Sequence, residues 1–246
     1  MKNLIDLHTH SVLSTHAFSS LTENIAVANQ KGLKYYGISE HQYDDYGVGP
    51  HHFAFHNLRI VPKEINGTKF LRGCEFNILQ DGSIESSKIL RKHLDYGIAS
   101  IHGYAYKDQG IELNTNAYLK ALDNEFINIV GHADDGHYPV DFEPIVKKAK
   151  ELHKLIEINN TSLKPTTNRI NAYDNMIKLI KCCIKYDEPV IINSDAHICY
   201  DVGQYELALD LLNKLNYPLD RILNFNEDLI KEYFYWLGAI WNKKQL

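Results

Sequence analysis

Seven apolar runs of strand length alternate along this chain with segments of helical period, a pattern that specifies repeated βα units and a parallel sheet. The runs are LIDLH (4–8), KYYGIS (34–39), KFLRGCEFNI (69–78), YGIASIH (96–102), INIVGH (127–132), LIEIN (155–159) and PVIINSD (189–195). The spacing predicts helices over Thr22–Lys31, Asn116–Asn124, Pro144–His153, 171–186 and 204–215, and an amphipathic tail over Glu227–Trp236 after RILNF (221–225). Thr22 is the expected N-cap of the first helix and Gly32 its C′ residue. A turn is expected at QDGS after the third run. Residues 42–68 are an insert where a plain crossover helix would be expected, and inserts of that kind in compact domains are usually functional or mobile.

No linker, fixed-period repeat or low-complexity tract divides the 246 residues, so a single domain over 1–246 is expected, a size that one α/β barrel reaches. The net charge of -5, with no cluster of Lys and Arg, argues against a nucleic-acid surface. Met1-Lys2-Asn3 runs directly into the first strand with no apolar leader and no bilayer-length stretch follows, so a soluble cytoplasmic protein without a membrane partner is expected. Cys74, Cys182, Cys183 and Cys199 lack CxxC spacing and read as reduced thiols.

The unusual count is histidine, at 13. On a strand, side chains at i and i+2 share a face, so His8 and His10 can converge, while the Ser/Thr-rich turn beyond them can fold His16 back toward the pair or carry it to a neighbouring position. The other strand ends repeat the theme: His41 closes the second run, Glu75 lies in the third, His102 and His132 close the fourth and fifth, and Asp195 with His197 close the seventh. In a parallel barrel those C-terminal ends gather on one face, where barrel enzymes build their active sites. Seven His, one Glu and one Asp are too many ligands for one tetrahedral ion and suit two or three. Zinc accepts this donor set, as do manganese and iron, and a cysteine-free set points to open positions for water. Such a centre attracts anions even in an acidic chain, because the ions supply the positive field. His93 and His153 fall in helical context and His51, His52, His56 and His137 in loops, and these read as structural or solvated.

The stretches DLHTHSVLSTHAFSSL, GISEH, PHHF, LRGCEFNI, EINNTS, NSDAH and RILN together resemble the PHP (polymerase and histidinol phosphatase) superfamily, and most closely its YcdX-like branch of trinuclear-zinc phosphatases. The resemblance covers essentially the whole chain. It implies a distorted (β/α)7 barrel of parallel strands with the active site at their C-terminal ends. It implies three divalent ions: one held by His8, His10, Glu75 and Asp195, a second by Glu75, His102 and His132 with Glu75 bridging, and a third by His16, His41 and His197. It also places Arg59 in the insert, and Lys164 and Arg169 after the sixth strand, as candidate phosphate contacts, since a guanidinium fork matches phosphate oxygens. One departure stands out: the family commonly reads Asp-His where this chain has Glu40-His41, which puts a contact outside the ligand shell in question.

The activity so implied is hydrolysis of a small phosphate monoester by a metal-bound hydroxide, with no protein nucleophile. A phosphodiesterase or 3′-5′ exonuclease is the alternative within the same chemistry, and a catalytically silent, metal-stabilised interaction module the alternative outside it. A homo-oligomer is compatible with the sequence.

Overall fold

The computed structural model describes residues 2–42, 47–84 and 92–235. Seven parallel strands form the sheet: β1 (Ile5–Asp6), β2 (Tyr35–Ile38), β4 (Thr68–Asn77), β5 (Tyr96–Ser100), β6 (Ile129–Val130), β7 (Leu155–Asn159) and β8 (Val190–Asn193), neighbours in that order. A two-residue β3 (Glu64–Ile65) pairs antiparallel with the start of β4. Helices α1 (Leu21–Lys31), α2 (His52–Asn57), α3 (Ile111–Leu122), α4 (Phe142–Glu151), α5 (Ala172–Tyr186), α6 (Glu206–Lys214) and α7 (Glu227–Tyr233) complete the elements used below. The sheet curls into a nearly closed barrel surrounded by helices, the distorted (β/α)7 architecture expected of the sequence.

Side chains close the seam between β1 and β8 where ladder bonds run short. Beyond the strands, His10 N donates to Ala196 O at 2.8 Å, and Leu7 N donates to the Asn193 side-chain oxygen at 3.0 Å. Lower down, the Asn224 amide donates to Ile5 O at 2.9 Å and Ile192 O at 2.7 Å, while its oxygen accepts from Ile192 N at 2.7 Å. One buried carboxamide thus replaces a strand partner on both sides.

The alternation of β7 shows how the interior is divided. Ile156 and Ile158 face outward onto the helix layer with Met176, Leu179 and Ile180 of α5, while Leu155 joins a separate cluster within the barrel. That inner cluster comprises Ile5, Leu7, Leu71, Ile98, Ile129 and Ile191 among others, and Leu229, Ile230 and Tyr233 of α7 seal it from below. Tyr96 occupies the barrel's waist, donating its hydroxyl to Leu7 O at 2.5 Å. Gly37 and Gly73 make room for it, since a Cβ at either would lie 2.3 or 2.2 Å from Tyr96 side-chain atoms.

Several local expectations shift. The N-cap of α1 is Ser20, not Thr22: Ser20 Oγ accepts from Glu23 N and Glu23 Oε2 accepts from Ser20 N at 2.7 Å, a reciprocal capping box. Gly32 ends that helix with φ +69° as expected. Helix α3 begins at Ile111, five residues before the predicted start at Asn116, because Gly110 caps it without a side-chain signal. The insert holds α2, a 3-10 turn over Leu58–Ile60 and a β3–β4 hairpin at Asn66-Gly67, both with positive φ, the dipeptide that suits a tight hairpin. Insert residues 43–46 and Trp236 of the predicted tail lie outside the described residues. His153 lies past the end of α4 and stacks on Tyr233, rather than continuing a helix, and all four cysteines are free thiols. Among the described residues no helix is long and apolar enough to cross a membrane.

Candidate metal centre

All nine predicted ligand side chains meet at the C-terminal mouth of the barrel, delivered by the strands or the loops that follow them. Glu75, fully buried on β4, is the hub. Its Oε1 lies 2.9 Å from His132 Nε2, 3.2 Å from His102 Nε2 and 3.3 Å from His8 Nε2. Its Oε2 lies 3.1 Å from His41 Nδ1 and 3.5 Å from His10 Nε2. Asp195 Oδ1 approaches His8 and His10 at 3.5 and 3.4 Å, so these four groups share one space. His16 and His197 meet at 2.8 Å through their Nε2 atoms, and the His10 and His41 rings stack with centroids 4.4 Å apart.

The groupings overlap more than three separate ligand sets would. Donor atoms within 4.8 Å of one another define His8/His10/Asp195, His8/Glu75/His132, His41/Glu75/His102 and His10/His41/His197. His16 joins the last group through His197, and His41 reaches both that group and Glu75.

Electrostatics show what this packing lacks. Burial pushes the Glu75 carboxyl up, but the imidazoles of His8, His102 and His41 outweigh it and hold it well below the usual carboxylate range. Burial likewise lowers His8, yet Glu157, Glu75 and Asp195 together raise it well above an ordinary histidine. His10, two residues away, goes the other way: burial, then His41 and His197, push it well down. His16 falls to about 4 through burial and the same two neighbours. Six buried atoms here, His8 Nε2, His10 Nδ1, His10 Nε2, His41 Nε2, Glu75 Oε2 and His132 Nδ1, have no hydrogen-bond partner among the described residues. Buried polar atoms are rarely left so. Neutral imidazole lone pairs and carboxylate oxygens converging in this way fit divalent cations of the zinc, manganese or iron type.

Groups behind the ligands fix their orientation. Glu157, fully buried on β7, accepts from His8 Nδ1 at 2.7 Å, which leaves Nε2 as the outward lone pair, and its other oxygen accepts from His132 N at 2.8 Å. Asn159 and Asn193 satisfy its remaining capacity at 3.0 and 2.9 Å. Asn77 Oδ1 does the same for His102 Nδ1 at 2.8 Å, and the Tyr104 ring stacks on His102 at 5.2 Å. Glu40 is buried and binds the Ser11 backbone N at 3.1 Å, the Ser11 hydroxyl, and Ser14 Oγ at 2.6 Å. Ser14 Oγ in turn accepts from His41 N at 3.1 Å, so this one carboxylate ties the His16 loop to His41. Asp195 itself holds φ +52°, a conformation non-glycine residues rarely adopt, as at many functional sites.

The ligands open into a cavity of about 560 Å³, lined also by Tyr104, Asp135, His137, Tyr138, Thr166 and Asn168. Of the three candidate phosphate contacts, Arg169 lines this cavity, but its Nη2 is held by Asp195 Oδ2 at 2.8 Å and its Nη1 by Ser162 Oγ at 2.9 Å. Lys164 pairs with Asp201 at 2.8 Å, and Arg59 is exposed in the 3-10 turn after α2; neither lines the cavity. Sequence reasoning missed Glu157, whose signal was an acid at an inward position between two isoleucines of a buried strand.

Comparison with known proteins agrees with this geometry. The sequence matches the PHP domain family over residues 6–244. It is 41% identical over 243 residues to a probable phosphatase of Clostridium acetobutylicum, covering 98% of each chain. In fold it resembles a putative histidinol phosphatase from Listeria monocytogenes, with TM-score 0.60 and 15% identity over 82% of this chain and 98% of that one. It also resembles the histidinol phosphate phosphatase of Lactococcus lactis, solved with zinc, L-histidinol and phosphate, with TM-score 0.58 and 18% identity over 87% and 93% of the two chains. The clustered ligands and the family together support metal-dependent hydrolase chemistry. Near full-length coverage by the family and by a close relative makes the chain a member of the PHP (polymerase and histidinol phosphatase) superfamily.

Proposed function

We propose that this chain is a phosphatase of the YcdX-like kind, hydrolysing small phosphate monoesters at a centre of three divalent ions, with zinc the leading candidate and manganese or iron the alternatives. The observation that carries the reading is Glu75, whose two oxygens face five imidazoles while buried lone pairs around it lack partners. In this reading His8, His10, Glu75 and Asp195 hold one ion, Glu75, His102 and His132 a second, and His16, His41 and His197 the third. Bound divalent ions supply an activated water near neutral pH and neutralise phosphoryl charge.

The protein's own groups prepare that chemistry. Glu157 and Asn77 fix which nitrogen of His8 and His102 faces the centre. Arg169 holds Asp195 in place and lines the cavity beside the ligands, so of the three candidate substrate contacts it is the one we retain. A monoester dianion gains more than a diester monoanion from such a cationic centre, which favours phosphatase over phosphodiesterase activity.

Elemental analysis of gently purified protein should find two to three transition-metal ions per chain. Metal-loaded protein should hydrolyse p-nitrophenyl phosphate far faster than the corresponding diester, chelation should abolish this, and metal should restore it. A content at or below one ion, with no gain on adding zinc or manganese, sinks the multinuclear reading. Preference for the diester moves the protein to the phosphodiesterase class.

A further inference from the structure

Among the described residues, the cavity holds one acid-base pair that the ligand clusters do not use. His137, on the loop after β6, lines the same space as Glu75, His102 and His132. Its Nδ1 lies 2.8 Å from Asp135 Oδ1, and the same oxygen accepts from His137 N at 3.0 Å. The carboxylate therefore fixes the ring's tautomer and its backbone at once, leaving Nε2 to carry the transferable proton.

We propose that His137 is the general acid that protonates the leaving oxygen, with Asp135 as its positioning residue. Elimination among the cavity's titratable side chains supports the choice. His16, His41, Glu75, His102, His132, Asp195 and His197 belong to the ligand clusters or to their His16 extension. Arg169 is committed to Asp195, Asn159 and Ser162. The Tyr104 hydroxyl donates to Asn77 at 3.1 Å, and burial, with Asp135 and Asp108 nearby, pushes the Tyr138 phenol further above an already high value. An imidazolium is the side-chain acid suited to a reaction run near neutral pH.

The step balances simply. As water's oxygen adds to phosphorus and gives up a proton to solvent, the bond to the leaving oxygen breaks and its electron pair stays on that oxygen. The Nε2 proton of His137 passes to it, the alcohol departs, and solvent returns a proton to the ring. An alkoxide is a strong base and needs this proton, whereas p-nitrophenolate is a weak base and leaves without it. The proposal rests on the monoester reading, and its test separates the two.

Wild type, His137→Ala and Asp135→Asn, each loaded with zinc, would be assayed on glycerol phosphate and on p-nitrophenyl phosphate, with metal content measured beside them. The alkyl-to-aryl ratio of kcat/KM should fall about 10²-fold in His137→Ala and about 10-fold in Asp135→Asn, the scale of general acid catalysis. Added imidazole should restore His137→Ala on the alkyl ester more than on the aryl one. An equal loss on both esters, or loss of metal with the substitution, overturns the role of His137. Failure of the wild type on both esters instead overturns the monoester reading.

Discussion

The two halves of this barrel's interior are built from the same strands and obey opposite rules. The lower half is apolar: Ile5, Leu71, Ile98, Ile129 and Leu155 pack with the α7 side chains, and Asn224 supplies the seam's missing hydrogen bonds. The upper half, one strand turn higher, is almost wholly His, Glu, Asp and Asn, and it leaves the buried lone pairs of His8, His10, His41 and Glu75 without partners. One half is satisfied within the chain and so makes the fold. The other is incomplete without a cation and so makes the site. Substitutions in the two halves should therefore fail in different ways.

The largest contrast is between Glu75 and Leu71 on the same strand. Glu75→Ala removes the carboxylate shared by five imidazoles, and activity should fall by at least ~10³-fold, with more metal lost than in His16→Ala. The apoprotein should remain folded. Leu71→Ala, fully buried below, should lower stability by about 2–5 kcal/mol with metal content per folded chain unchanged. Metal analysis and denaturant unfolding on both variants check the division. If Leu71→Ala also stripped the metal, the two halves would be one cooperative unit.

Glu40 sharpens the boundary, because it is an upper-half acid whose partners are all within the chain. With Ser11 and Ser14 it ties the His16 loop to the backbone of His41. Glu40→Gln should weaken the most loosely held ion about 10- to 100-fold while sparing those around Glu75, read by zinc titration against a competing chelator. Equal weakening of every ion would show Glu40 to be a general structural support.

The same contrast explains what was legible in the sequence. The seven strands and the ligand positions could be read because local patterns carry them: apolar runs, and ligands at run ends such as HTH and SDAH. Ser20-Leu-Thr-Glu23 and Asn66-Gly67 were also local signals, and closer reading would have found that cap and that turn. Glu157 and Asn224 are different. Glu157 meets His8 from 149 positions away and Asn224 meets Ile5 from 219, so their roles exist only once the barrel closes. The overlap of the ligand groups around His41 and Glu75, and the commitment of Arg169 to Asp195, are likewise products of three-dimensional packing.

The smallest effect concerns a buried carboxylate outside the ligand clusters. Glu188, just before β8, is fully buried, and among the described residues neither of its oxygens has a hydrogen-bond partner. Burial pushes its carboxyl up to about 8, against the pull of Lys150 and Arg221. In the unfolded chain the group titrates near its ordinary value of 4.5. Between those limits the unfolded state has released a proton that the folded state retains, so rising pH favours unfolding. Stability should thus be lost progressively from about pH 4.5 to about pH 8 and then level off. Metal binding varies with pH as well, so the measurement is the difference between wild type and Glu188→Gln, which share an identical upper half. By urea unfolding at pH 5, 6.5 and 8, the variant should gain on wild type steadily with pH. A difference that stays flat would mean Glu188 finds a partner in solution.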